Sequence, residues 1–381
     1  MNLANCINSK NNKIYVIGIK NSSVRKYPNK NIRQLILWDN YSNFKSFALI
    51  VYYLLRSFYS NPKTSMNNLK SLLLSKISKE NLINFNIKNI FLIFQPDIIH
   101  VQWASHILSF KFLFNIPIDI RPKIIISLRG RLINITPRVD HKTAELYRKT
   151  FPIVDGFHAV SSAIGFEALR WGAEENKIRV IYSGLDLAKI NTYTKKCWEI
   201  GPVAKILSVG RFHWKKGYHL ALDGLKMLLD RGRAVHYTII APGVPDEVLY
   251  QIKDQQLNAF VEIIPGMAQS RVFEKMTEAD IFLLPSVEEG IANVVLEAMA
   301  IGLPVVSSDC GGMDEVIQNN TTGLLFNTRN IPDMVAQIEK MLDDTVQGRE
   351  AFAQSARQKV EQQHSLEGFR ADFNQFYNSV L

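Results

Sequence analysis

The sequence has little cysteine. Its 381 residues hold three, Cys6, Cys197 and Cys310, far apart and in no Cys-x-x-Cys pair. That excludes a disulfide scaffold and a zinc ribbon, and free thiols fit a reducing compartment. Long apolar runs are also missing. The most apolar stretch, 46–55, is ten residues bounded by Lys45 and Arg56, about half of the ~20 that span a bilayer. No signal-peptide pattern opens the chain. The expectation is a cytoplasmic protein able to touch a membrane without crossing it. Gly-x-x-x-x-Gly-Lys-Ser/Thr, Gly-x-Gly-x-x-Gly, Gly-x-Ser-x-Gly and His-Glu-x-x-His are all absent. With them go the P-loop, the dinucleotide fingerprint, the serine-hydrolase elbow and the zinc helix, and no metal site is expected.

What is present is a charge split. The chain is 47% hydrophobic and 21% charged, so it is globular rather than disordered. Its length suits two or three domains of about 150 residues. The formal charge of +10 is uneven: residues 1–150 carry 23 Lys and Arg against 6 Asp and Glu, a net of +17. Residues 151–200 balance at 6 of each, and 201–381 hold 16 against 23, a net of −7.

Apolar periodicity alternates between strand and helix. In the second half, strands are expected at 205–212, 235–241, 260–264, 281–284 and 304–308. Helices are expected after Gly217, with Ala221, Leu225, Leu228 and Leu229 on one face, and near 246–256, 270–279 and 294–301. The alternation implies a parallel sheet covered on both faces. The first half repeats the pattern more weakly, with strands at 13–18, 34–38, 97–103, 123–128, 156–160 and 179–182 and helices at 44–59 and 69–77. The reading is α/β, with residues 1–190 and 200–364 as two domains and 365–381 as a helix packing back on the first. Residues 1–10 read as the end of a helix, so the first domain is expected to lack its first strand.

Three segments can carry chemistry. In SVEEGIANVVLEAMAIGLP (286–304) a buried strand feeds a loop with Glu288, Glu289 and Gly290, and a helix follows with Asn293 as its expected N-cap. The helix start offers free N–H groups, and Glu289 and Glu297 can accept from a hydroxyl-rich ligand. They also suit an ordinary acidic helix start. VGRFHWKKG (209–217) places Arg211 and Lys216 at a strand-to-helix turn, fit for a diphosphate or for solvent. DCGGMDE (309–315) opens another helix after two glycines, either cleft-lining or a tight turn.

In order and spacing these segments resemble the retaining nucleotide-sugar glycosyltransferases of family 4, densely over 205–327. The matching residues are VGR…KG217, Glu289 and Glu297 eight positions apart, GLPVV (302–306), GG…EV (311–316) and GLL (323–325). PDIIH (96–100), AVS (159–161) and VIYSGLD (180–186) are looser echoes. The resemblance implies a GT-B fold, two Rossmann-like domains facing a central cleft. It also implies that Arg211 and Lys216 hold the donor diphosphate in place of a metal, and that Glu297 accepts from the ribose. Glu289 would stand by the donor sugar beside the N–H groups of Gly290, Ile291 and Ala292, with Gly266 and Met267 near the base. No cofactor is implied, only a UDP- or GDP-linked sugar as substrate.

The first half departs from the family. Its glycine-rich first loop is absent, and the histidine after strand 123–128 is replaced by SLRGR (127–131). There Arg129 is either a sugar- or phosphate-binding cation or a surface base, and His100 either lines the cleft or is structural. The basic, aromatic 44–59 segment suits the anionic inner face of the plasma membrane, or reflects compositional bias. Nucleic acid is not an expected partner, because no binding motif accompanies the charge. The expected activity is sugar transfer with retention to a glycan or polyprenyl-linked acceptor in bacterial surface polysaccharide synthesis. Alternatives on the same fold are a nucleotide-sugar epimerase, a phosphorylase, or a truncated non-catalytic binding member.

Overall fold

A computed structural model of the chain describes residues 13–20, 32–39, 42–117 and 119–381. The expected helix end at 1–10 lies outside them. The chain divides into two compact units. One holds the described residues up to Ser127 with Glu145–Phe157 and Asp372–Leu381; the other holds Leu128–Ala144 and His158–Ala371.

In the first unit, strands β1 (Ile14–Lys20) and β2 (Ile32–Asp39) run parallel, as do β3 (Ile98–Val101) and β4 (Lys123–Leu128). Three helices, Asn43–Ser60, Pro62–Leu73 and Lys79–Phe94, each start where a polar side chain accepts an otherwise free N–H. Ser42 accepts from Lys45, Asn61 from Thr64, and Ser78 from Asn81. Lys79–Phe94 was not expected. Its Asn81, Asn84, Asn86 and Asn89 lower helix propensity, but Phe85, Ile87 and Ile90 are buried, and packing outweighs propensity. Arg121 and Asp155 form a two-pronged buried pair at 2.6 and 3.2 Å, and Asp155 also accepts from Ile124 N–H. The tail helix Leu366–Val380 brings Phe373 and Phe376 into the core, with the Phe376 ring against Gly156.

Strand β5 (Gly156–Ala159) and the short β6 (Ile178–Val180) follow in the chain. The second unit is built on a six-stranded parallel sheet. Its strands are β7 (Ala204–Val209), β8 (Val235–Ile240), β9 (Val261–Ile264), β10 (Ile281–Leu284), β11 (Val305–Ser308) and β12 (Leu324–Phe326). They lie in the order β12-β11-β10-β7-β8-β9. The central β10 is apolar at every position because both faces are covered. Val295, Leu296 and Met299 pack on one side; Leu222, Leu225 and Leu228 pack on the other. Leu222, rather than the expected Leu229, completes the buried stripe of Tyr218–Asp230. Helices Ile331–Asp343 and Val346–Gln363, unassigned from the sequence, add to the covering layers.

At Gly217 and Gly311 a left-handed φ and a close backbone approach together exclude a side chain. At Gly217 (φ +66°) a Cβ would stand 1.9 Å from the Pro285 carbonyl oxygen, and at Gly311 (φ +60°) 1.8 Å from that of Glu289. Gly201 has open space around it. Gly217→Ala should therefore destabilise the chain by at least about 2 kcal/mol in denaturant titration, combining left-handed strain with overlap. Gly201→Ala should stay within about 0.5 kcal/mol.

Candidate active site

The strand order of the second unit reverses between β7 and β10, the place where open α/β sheets leave a crevice beyond their carboxyl ends. Loops leave β7, β10 and β11 there, and their backbones are stitched together. Val287 N–H donates to the Lys215 carbonyl at 2.6 Å, and Gly312 N–H donates to the Gly290 carbonyl at 2.8 Å. With the glycine contacts at Gly217 and Gly311, this fixes the loops before any side chain is considered.

On that frame the expected cation and carboxylate meet. Lys216 donates to Glu289 Oε1, and Ser286 Oγ donates to the same oxygen at 3.1 Å. Lys215, not singled out from the sequence, stands 3.6 Å from Glu289 Oε2. Glu289 is buried, so an unpaired charge there would be costly. Arg211 is exposed at the start of the β7 loop. Desolvation, and then the charges of Arg131, Lys215, Arg211 and Lys216, lower the His213 pKa.

Glu297 does not bond to Glu289. It lies one turn into the helix Asn293–Ile301 and accepts from Gln269 Nε2 at 2.7 Å. Burial holds its carboxyl above the usual range. The expected N-cap needs correction: the cap is Ala292, with no side-chain bond, and Asn293 is the first helical residue. Gly290 and Ala292 are buried and Ile291 half-buried. Ala292 N–H faces Met313 Sδ at 3.5 Å. Gly266 is exposed and Met267 half-buried in the loop after β9, where Gly266 lies against Pro242.

Arg129 is half-buried, and desolvation lowers its pKa. The adjacent Gly130 nitrogen lies 3.8 Å from where a Gly290 Cβ would be, which brings this segment against the loop after β10. Its neighbour His158 is buried and pushed down to about 3, first by desolvation and then by the Arg129 charge. His100 stands in the first unit, bonded through Nδ1 to Tyr377 Oη at 2.6 Å and through Nε2 to Ser127 Oγ at 2.8 Å. Three further residues had no role from the sequence. Asn134 donates to Glu288 at 2.5 Å, Tyr182 donates to Glu315 at 3.0 Å, and Glu315 also accepts two backbone N–H groups. Their partners are more than a hundred positions away, beyond the reach of local spacing.

Because the folded pKa of Glu297 is raised, its ionisation opposes folding, and the protonated form is the better fit. Glu297→Gln keeps an acceptor for Gln269. It should raise the melting temperature of the unliganded chain at pH 7. The gain should shrink as pH falls through the raised value toward the ordinary 4.5, where the wild-type carboxyl is neutral too.

The family described as "Glycosyl transferases group 1" matches residues 198–359, and "Glycosyltransferase Family 4" matches 69–189. WcaL of Escherichia coli, named for colanic acid biosynthesis, is 31% identical over 267 residues, 67% of this chain and 62% of that protein. A Campylobacter jejuni N,N'-diacetylbacillosaminyl-diphospho-undecaprenol N-acetylgalactosaminyltransferase is 32% identical over 209 residues, 52% of this chain and 54% of its own. The chain thus spans under two thirds of the length of these curated relatives. The solved structure of Anabaena HepE with UDP and glucose shares the fold, with TM-score 0.68, 19% identity, and coverage of 80% of this chain and 83% of that one. The chain belongs to the family 4 glycosyltransferases, and its fold is GT-B.

Proposed function

We propose that the protein transfers a sugar from a UDP- or GDP-linked donor, with retention, to a glycan or polyprenyl-linked acceptor in surface polysaccharide synthesis. The observation that carries this is the meeting of Lys216 and Glu289 at the switch point, with Arg211 on the same loop. A diphosphate there would take Arg211 and Lys216, whose charge offsets what develops as the nucleotide leaves, in place of a cofactor or divalent metal. Glu297 would accept from ribose hydroxyls. Glu289 would sit by the donor sugar near the N–H groups of Gly290, Ile291 and Ala292, with Gly266 and Met267 near the base. In the reaction the acceptor hydroxyl oxygen bonds to the anomeric carbon on the face the diphosphate leaves. The carbon–oxygen bond to phosphate breaks, and the hydroxyl proton passes to the departing phosphate oxygen.

On this reading 200–364 holds the donor, 1–190 holds the acceptor, and the 365–381 tail braces the acceptor side. Arg129 and His100 are assigned to that side. The relatives support a carbohydrate pathway: the WcaL name concerns colanic acid, and the Campylobacter enzyme's name gives an undecaprenol-linked acceptor. No described helix is long and apolar enough to cross a membrane. The helix Asn43–Ser60 exposes Phe44, Phe47, Leu55 and Tyr59 beside Lys45 and Arg56. Peripheral binding at the inner face of the plasma membrane fits that surface.

A nucleotide-release screen of UDP- and GDP-sugars with lipid-linked acceptors tests the activity. Glu289→Ala, and Arg211→Ala with Lys216→Ala, should each lower kcat by about 10²–10³-fold, as loss of a charge-stabilising group does elsewhere. Near-full turnover in both would sink the proposed site. In liposome flotation the chain should float with anionic vesicles and release as salt rises. Equal binding to neutral vesicles would refute the membrane assignment.

A further inference from the structure

The motif GGMDE carries a carboxylate that the proposed reaction does not use. Glu315 lies in the single helical turn Met313–Val316, just after Gly311 and Gly312. Its Oε2 accepts from Ser162 N–H at 2.8 Å and from Tyr182 O–H at 3.0 Å, and its Oε1 accepts from Ala163 N–H at 3.0 Å. Ser162 and Ala163 open the helix Ser162–Leu169, whose next free N–H, at Ile164, is taken by Ser161 Oγ at 3.2 Å. One carboxylate thus closes the start of that helix and fixes a tyrosine from the segment after β6.

The same turn holds the donor loop on its other side. Gly312 N–H donates to the Gly290 carbonyl, and a Cβ on Gly312 would lie 2.6 Å from that oxygen and 2.7 Å from Ser161 Cβ. Gly311 fits beneath the Glu289 carbonyl. The segment 310–316 is therefore a wedge between Ser161–Ser162 and Glu289–Gly290, and Glu315 is the charged group that seats it.

We propose that Glu315 is a positioning residue for the donor-sugar loop. It acts through Gly311 and Gly312 to set where Glu289 and the backbone of Gly290 and Ile291 stand. The inference rests on the transferase reading for its kinetic consequence only; the positioning itself is a property of the unliganded chain.

In Glu315→Gln the amide nitrogen replaces one accepting oxygen and faces an N–H or O–H donor, so the seat is lost while size is kept. Tyr182→Phe removes one of the three bonds and serves as the milder variant should Glu315→Gln fail to fold. Amide hydrogen exchange on the full chain should quicken about tenfold at 286–293 as well as at 311–317, with 235–240 unchanged. Donor kcat/KM should fall about tenfold to hundredfold for Glu315→Gln and less for Tyr182→Phe, since small displacements of reacting groups are costly. The double variant should lose no more than Glu315→Gln alone. Faster exchange confined to 311–317, or kcat/KM within twofold of wild type, overturns the proposal. Calorimetry of UDP and GDP on the wild-type chain separates the two readings. If neither binds, the transferase reading falls, while exchange at 286–293 still decides the role of Glu315.

Discussion

The site depends on one steric constraint, the passage of two carbonyl groups against two α-carbons that carry no side chain. Pro285 O meets Gly217 and Glu289 O meets Gly311, each closer than any Cβ would permit. These contacts bring the loops after β7, β10 and β11 within backbone hydrogen-bond distance, seen in Val287 to Lys215 and Gly312 to Gly290. Lys216 and Glu289 then meet because their backbones are already placed. The order of causes matters. A site held by its backbone is preorganised, so a ligand entering it need not spend binding energy ordering loops.

Much of this was legible in the sequence. The continuous apolar run 281–284 is β10 to the residue, and the alternation after 205 gave every strand of the second sheet up to β11 within a few positions. Glycine spacing marked the turns, because only glycine permits the approaches that occur there. The first half was harder. Lys79–Phe94 is rich in asparagine, and only its tertiary packing makes it a helix. The one-residue error at Ala292 and Asn293 arose because asparagine is a frequent cap, whereas here the chain turns with no side-chain cap. The long-range partners of the site, Asn134 to Glu288 and Glu315 to Ser162, Ala163 and Tyr182, leave no periodic trace, since topology alone brings them together.

The charge split is now specific. The second half is net acidic, yet three of its cations, Arg211, Lys215 and Lys216, share one loop, where the two lysines pair with the buried Glu289. That carboxylate offsets the charge of the two lysines. Burial also holds the Glu297 carboxyl above its ordinary range, with Gln269 Nε2 as its hydrogen-bond donor.

A crystal structure of the chain with a nucleoside diphosphate decides whether the switch-point loops bind the donor. The proposed function requires the diphosphate within hydrogen-bond distance of Lys216 Nζ and the Arg211 guanidinium, with the ribose on Glu297. A nucleotide bound away from the β7 and β10 loops, with the Lys216–Glu289 pair untouched, would contradict it.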